Sequence, residues 1–359
     1  MAGTIAILLS LAYAAAAAMV AWRAHAVRAR TPRRNATLPL VSVLIAARNE
    51  ACTLGDCLGA LNRQSYPDDR FEIIVADDHS EDATPEVAET GGAHCVRLKE
   101  TGEGGKAAAL HAAYGAACGD ILLVTDADCR PPRDWIRHLA AQFDDPDAGL
   151  VCGVTTVRHD GLLSRIQSLD WGLLLTIAAG LSALKAPLTA MGNNMGIRRE
   201  AYEAVGGYPA LPGSVTEDFT LFRAVRRTTP WTVRLILDRS LTNRTEPLPR
   251  LGAVFAQRRR WARGGLQAGF RAQLFYLFVW SVHASVLIGL LIAPGAALIG
   301  LAVKAAADAG VLRTAALHIE MGSAGKAFPI FEAYLFGYVL LLPFSLLLAP
   351  HISWRGRRY

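Results

Sequence analysis

Charge is distributed very unevenly along this chain, and that limits its folds more than anything else. Residues 4 to 22, including LLSLAYAAAAAMVAW, carry no charged side chain and are about long enough to cross the ~30 Å hydrocarbon layer of a bilayer as one helix. Two more apolar runs lie near the other end: 274–303, containing Pro294, and 327–350, with Glu332 as its only charge. With 52% hydrophobic and 19% charged residues over 359 positions, a soluble domain has to be confined to the middle. The first four residues hold no positive side chain, whereas Arg23, Arg28, Arg30, Arg33 and Arg34 follow the apolar run. That order suits an uncleaved anchor over 1–22, with the N terminus outside and a basic linker over 23–38 in the cytoplasm. Lys304, Asp308, Arg313, His318, Glu320 and Lys326 read as an amphipathic connection over 304–326. The expected later spans are therefore 274–303 and 327–350, which return the basic tail 351–359 to the cytoplasm. A further span over 294–317 is disfavoured because it would bury Lys304 and Asp308. The expected location is the cell (inner or plasma) membrane, multi-pass, with the middle region cytoplasmic.

The net charge of +6 does not call for a nucleic acid, since the basic residues sit beside apolar runs and outside any nucleic-acid motif. Anionic lipid is the better counterpart. All six cysteines fall between Cys52 and Cys152 without C-x-x-C spacing, as expected of reduced cytosolic thiols.

Within the middle region, apolar runs alternate with helix-forming segments. VSVLIAARNE (41–50) is a strand breaking into a polar Arg48-Asn49-Glu50 turn, and FEIIVADDHSED (71–82) repeats the plan with Asp77 and Asp78 at its end. Helices are expected near 53–63 and 105–117, a short strand at 94–97, and another strand over 149–157. Such alternation predicts a mainly parallel, doubly wound sheet that binds ligands beyond the carboxyl ends of its strands.

ILLVTDADCRPP (121–132) puts two carboxylates one residue apart at a strand end, before a turn no strand continues through. Alternate side chains of an extended segment share a face, so Asp126 and Asp128 can meet one Mg2+ or Mn2+ without enclosing it. TGEGGKAAAL, around Lys106, has Ala107 where a phosphate-binding loop needs Ser or Thr, which excludes that motif. Lys106 is left as either a phosphate contact near a helix start or a solvated lysine. WGLLLTIAAGLSAL (171–184) is uncharged but short for a span, hence a buried or interfacial helix. MGNNMGIRREAYEAVGGYP (191–209) suits a glycine-bearing loop close to a ligand. Glu217 and Asp218 open a helix, where the dipole favours ionised carboxylates. QRRRWARGG, beginning at Gln257, belongs to a segment (249–273) with the apolar and basic alternation of a membrane-surface helix.

Asp77-Asp78, Asp126-x-Asp128, Thr216-Glu217-Asp218 and Gln257-x-x-Arg260-Trp261, in that order, resemble the family-2 inverting glycosyltransferases over about 39–263. The closest resemblance is to the membrane-anchored branch with ceramide glucosyltransferases and poly-N-acetylglucosamine, hyaluronan and cellulose synthases. It implies an α/β, Rossmann-like nucleotide-sugar-binding domain of the GT-A type over 39–248, flanked by N-terminal and C-terminal transmembrane helices. It also implies that Asp78 and the turn with Arg48 and Glu50 hold the nucleotide, and that Asp126 and Asp128 hold diphosphate and Mg2+ or Mn2+, with Lys106 assisting. Asp218 takes the place of the general base, and Gln257, Arg260 and Trp261 shape the acceptor site and meet the donor diphosphate. The implied donor is a nucleotide-diphosphate sugar, expected to be a UDP-sugar. Few expected spans and a basic segment at headgroup depth favour a lipid acceptor. A polysaccharide synthase needing a partner subunit is the alternative, and a non-catalytic assembly subunit is disfavoured because every expected acidic position is filled.

Overall fold

The computed structural model describes residues 1–33, 37–99, 104–214, 216–266 and 269–348, and the backbone of 353–354 and 357–358. They form two units: a sheet unit of 28–156 and 190–246, and a helical unit of 1–27, 157–189 and 247–359.

The sheet unit contains β1 (Val41–Ala47), β2 (Phe71–Asp77), β3 (His94–Arg97), β4 (Ile121–Asp126), β5 (Ala148–Cys152), β6 (Val154–Val157), β7 (Asn194–Arg198), β8 (Thr232–Leu235) and β9 (Thr242–Thr245). Seven of them make one sheet in the order β3-β2-β1-β4-β7-β5-β8. The central strands are buried on both faces, as their unbroken Val, Ile and Leu runs require. From β3 to β4 the strands are parallel, as alternation with helices demands. The expectation of a mainly parallel sheet holds, with six of the seven strands running one way; the exception is β7, which enters antiparallel between β4 and β5 and makes the sheet mixed. The expected single strand over 149–157 is also two strands, because the Asn194 amide donates to Val154 O (2.6 Å) and Leu241 O (2.7 Å) beside Gly153. A Cβ on Gly153 would stand 2.2 Å from Leu241 O, so no other residue fits this crossing. β6 departs there to pair with β9.

Register sets the functional edge. Ala47 lies opposite Asp77 and Ala46 opposite Asp126, so the residues following β1, β2 and β4 emerge along one carboxyl edge.

The helical unit contains Ala2–Ala26, Leu162–Ala183, Leu251–Leu266, Phe270–Ile292, Pro294–His318 and Phe328–Leu348. Five helical segments of the described chain are long and apolar enough to cross a membrane: Ala2–Ala26, Leu162–Ala183, Phe270–Ile292, Pro294–His318 and Gly322–Leu348. Three expectations change. The run 157–189, read as part of a continuous sheet domain over 39–248, packs with the helical unit. The run 274–303 is two helices, because Pro294 lacks the N–H to continue the first and takes the opening position of the second. The connection expected over 304–326 is instead helix as far as His318, continuous with the residues before it.

The charges that argued against this helix satisfy one another. Lys304 Nζ lies 2.7 Å from Asp308 Oδ2 and 2.7 Å from Glu332 Oε2, and the Tyr13 hydroxyl donates to Asp308 Oδ1 at 2.5 Å. Tyr13 against Asp308 and His25 against His318 (2.9 Å) also show that Ala2–Ala26 and Pro294–His318 run side by side in the same direction. All six cysteines are free thiols. The side chains of the basic tail, and Arg34 of the basic linker, lie outside the described residues.

Candidate active site

The turns after β1 and β2 are tied to each other before any ligand is considered. Asn49, in a left-handed conformation (φ 54°), donates its backbone N–H to Ser80 Oγ at 2.9 Å, and Glu81 N–H donates to Asn49 Oδ1 at 2.8 Å. Glu50 N–H donates to Thr84 Oγ1 at 2.8 Å, while the Thr53 hydroxyl donates to Glu50 Oε2 at 2.6 Å. Glu50 is thereby buried with a fixed carboxylate, and Arg48 stands half-buried on the same turn. Asp78, also buried, accepts the Gly105 N–H at 2.9 Å and contacts His79 Nδ1 at 3.0 Å. Asp78 therefore anchors the segment leading into the helix Lys106–Ala116. The Asp77 Oδ1 atom is buried and has no hydrogen-bond partner among the described residues.

Lys106 is not a simply solvated lysine. Its Nζ is 2.6 Å from Asp126 Oδ1 and 3.5 Å from Glu217 Oε1, so it joins the end of β4 to the start of the helix Glu217–Thr228. Burial alone would lower its pKa, but the two carboxylates outweigh that and raise it, keeping the ammonium charged. After Asp126 the chain turns at once, Cys129 N–H donating to Asp126 O at 3.1 Å, and Arg130 clamps the turn through Asp56 (2.6 Å) and Glu246 (3.0 Å). Asp128 rides on this turn, half-buried like Asp126. Among the described residues no group of three or more His, Cys, Asp or Glu side chains forms a metal cage. Two hard-oxygen ligands on an open turn, one of them already holding a cationic ammonium, nevertheless fit Mg2+ or Mn2+, which keep positions for phosphate oxygens.

Asp218 is more than a helix-opening carboxylate. Its Oδ2 accepts the Gly192 N–H at 2.7 Å, and its Oδ1 accepts the Phe219 N–H at 2.8 Å. The Gly192 loop is fixed from behind. Asn193 Oδ1 accepts the Thr155 hydroxyl at 2.9 Å, and the Asn243 amide donates to Asn193 O (3.1 Å) and Thr125 Oγ1 (3.0 Å). A Cβ on Gly192 would stand 2.8 Å from Asp218 Cβ, so glycine is required for this approach. Burial raises the Asp218 pKa, the neighbouring Glu217 carboxylate raises it further, and Lys106 with the two amides pulls it back, to about 6. A carboxylate with that pKa is a competent base near neutrality.

Asp78, Lys106, Asp126, Asp128, Glu217 and Asp218 thus all belong to the sheet unit, and contacts link Lys106 to both Asp126 and Glu217. Gln257, Arg260 and Trp261 belong to the helical unit, on the helix Leu251–Leu266. There the organising residue is Arg258, which the sequence pattern passed over. Arg258 is 1% exposed, its Nε lies 2.5 Å from Asp170 Oδ2, its Nη1 donates to Gln257 Oε1 at 2.7 Å, and its guanidinium sits 4.2 Å from the Trp261 ring centroid. Trp171 meets Trp261 edge-on at 5.1 Å. Asp170 and Glu217 were also missed as partners. Asp170 did give a signal, as a lone carboxylate beside an uncharged run, which calls for a buried cation.

The mixed sheet with an acidic carboxyl edge defines a GT-A type fold. A mannosyltransferase from Pyrobaculum calidifontis, solved with GDP-mannose and Mn2+, superposes with a TM-score of 0.62 at 24% identity, covering 97% of this chain and 99% of that one. The model of Glycosyl transferase family 2 matches residues 42–206, and the chain carries a domain of that family. The β-monoglucosyldiacylglycerol synthase of Synechocystis sp. is 28% identical over 242 residues, 64% of this chain and 48% of the relative. The poly-β-1,6-N-acetyl-D-glucosamine synthase of Staphylococcus aureus is 27% identical over 246 residues, 63% of this chain and 54% of the relative. The chain thus spans about half the length of these curated relatives.

Proposed function

We propose that this protein is an inverting glycosyltransferase that moves a sugar from a UDP-sugar to a hydroxyl of a membrane lipid at the cytoplasmic face of the cell membrane. The observation that carries the reading is the joining of Asp126, Lys106 and the Glu217-Asp218 pair at one edge of the sheet unit. A diphosphate end and a basic end are what displacement at an anomeric carbon requires. Asp78, Arg48 and Glu50 hold the nucleotide at the adjoining strand ends. Asp126 and Asp128 hold Mg2+ or Mn2+, which when bound offsets the charge of the departing diphosphate. Lys106, charged and within reach of Asp126, adds a second positive group there. Asp218 takes the acceptor hydroxyl proton as the new bond forms, and its two amide contacts fix the carboxylate for that transfer. Attack opposite the leaving group inverts the configuration. Gln257, Arg260 and Trp261 serve the acceptor site and the donor diphosphate, and the apolar helices bring that acceptor from the bilayer.

Likeness to the glucolipid synthase supports the lipid acceptor. Likeness to the poly-N-acetylglucosamine synthase supports a second reading, a polysaccharide synthase working with a partner subunit. Incubating the purified protein with labelled UDP-sugar and vesicles containing diacylglycerol separates them. Label extracted into organic solvent is the expected result, and label retained in large water-soluble material from this chain alone would overturn the lipid reading.

A further inference from the structure

The turn after the helix Arg199–Ala204 is built from two consecutive left-handed glycines, Gly206 (φ 73°) and Gly207 (φ 62°). Its product is the placement of Tyr208. The Tyr208 ring packs edge-on against Tyr202 at 5.7 Å, its backbone N–H donates to the Tyr202 hydroxyl at 3.2 Å, and the turn packs against the helix that begins with Lys106. Tyr208 is 9% exposed, yet its own hydroxyl has no hydrogen-bond partner among the described residues. Leaving a buried hydroxyl unpaired is unfavourable, and phenylalanine would fill the same space without that cost. Burial first, then the nearby carboxylates of Glu217 and Asp218, raise the pKa of the phenol, so it stays a protonated donor.

We infer that the Tyr208 hydroxyl is a specificity-determining group that donates a hydrogen bond to one hydroxyl of the sugar being transferred. The inference rests on the reading of this edge as a nucleotide-sugar site. Placement selects the sugar over the rest of the donor. Lys106 links the carboxylate assigned to the diphosphate with Glu217, next to the base, and the transferred ring has to lie between those two ends. The turn that carries Tyr208 packs on the helix that begins with Lys106, and the carboxylates that act on its buried, unpaired hydroxyl are those of Glu217 and Asp218. A site that pairs a buried hydroxyl with a substrate hydroxyl discriminates strongly against an analogue lacking it, because the protein group is then stranded.

The test is Tyr208→Phe, which removes one oxygen and keeps the ring. UDP-glucose, UDP-N-acetylglucosamine and GDP-mannose are offered to both proteins with Mn2+, and the best donor is then compared with its singly deoxygenated forms. The expected result is a fall of about 10- to 100-fold in kcat/KM for the intact donor, unchanged affinity for the free nucleoside diphosphate, and an unchanged or higher Tm. One deoxy donor should be as poor for the wild type as the intact donor is for Tyr208→Phe, and removing both groups should cost no more than removing either. Wild-type kinetics for Tyr208→Phe would overturn the inference while leaving the glycosyltransferase reading intact. So would a parallel loss of nucleoside diphosphate affinity or a fall in Tm, either of which marks a structural role. If the wild type turns over none of the three donors, the glycosyltransferase reading fails and the inference with it.

Discussion

If Asp218 is the base, the pH profile should show it, because its environment sets its pKa apart from that of an ordinary carboxylate. Burial and Glu217 hold it at about 6. Activity should therefore be level above about pH 7 and half-maximal near 6. By pH 5 it should fall to about one-tenth, with a slope of one in log kcat/KM. Lys106 does not contribute to this limb, since its pKa is raised still further above neutrality. Unfolding does not explain it either, as the sign of the linkage shows. A carboxyl whose folded pKa (about 6) exceeds its unfolded value (~3.9) binds more protons when folded, so its cost to stability is present above pH 6 and relieved as pH falls toward 4. Tm should hold or rise through the range in which activity is lost, as far as this group decides it. Asp218→Asn should fold, bind nucleoside diphosphate, and lose roughly 10²- to 10⁴-fold in turnover along with the acid limb. Gly192→Ala gives an independent check. The added Cβ would meet Asp218 Oδ2 at 2.9 Å and disturb the amide contact that favours the ionised form, so the acid limb should move above pH 6. An acid limb near pH 4, or the same limb in Asp218→Asn, would refute the assignment of Asp218 as the base.

Two further outcomes are expected. EDTA should abolish turnover and Mn2+ or Mg2+ should restore it, while Asp128→Ala should need far more metal for the same rate; an unchanged metal dependence in Asp128→Ala would rule the residue out as a ligand. Asp170→Asn leaves Arg258 buried without its counter-charge and should destabilise the protein by about 3–5 kcal/mol, whereas Asp170→Leu combined with Arg258→Met should recover most of that in thermal unfolding, though Gln257 then loses the guanidinium contact. If the double variant is no more stable than Asp170→Asn, the pair is not the unit described here.

What the sequence made legible was local. The strands carrying Asp78 and Asp126 announce themselves by unbroken apolar runs ending in acid, and the β1, β2 and β4 register places those ends together without further information. Where the reading fell short, the deciding partner is distant in sequence. Asn194 splits the strand expected over 149–157 through contacts to Val154 and Leu241. The partners of Lys106 are 20 and 111 residues away, so spacing around the lysine leaves open whether it meets a phosphate or water. The helical unit carries the same lesson in energetic form. A residue-by-residue hydropathy argument charges Lys304 and Asp308 the full cost of entering an apolar layer, and on that basis a helix over 294–318 is unfavourable. The cost applies to unpaired ions, and here Lys304, Asp308 and Glu332 stand within 2.7 Å of one another's opposite charges, with Tyr13 filling a further acceptor. Glu332 is the only charge of its own apolar run, which makes it the natural complement of a lysine in another. Isolated charges in separate apolar runs are thus better read as candidate partners for one another than as marks against each run in turn.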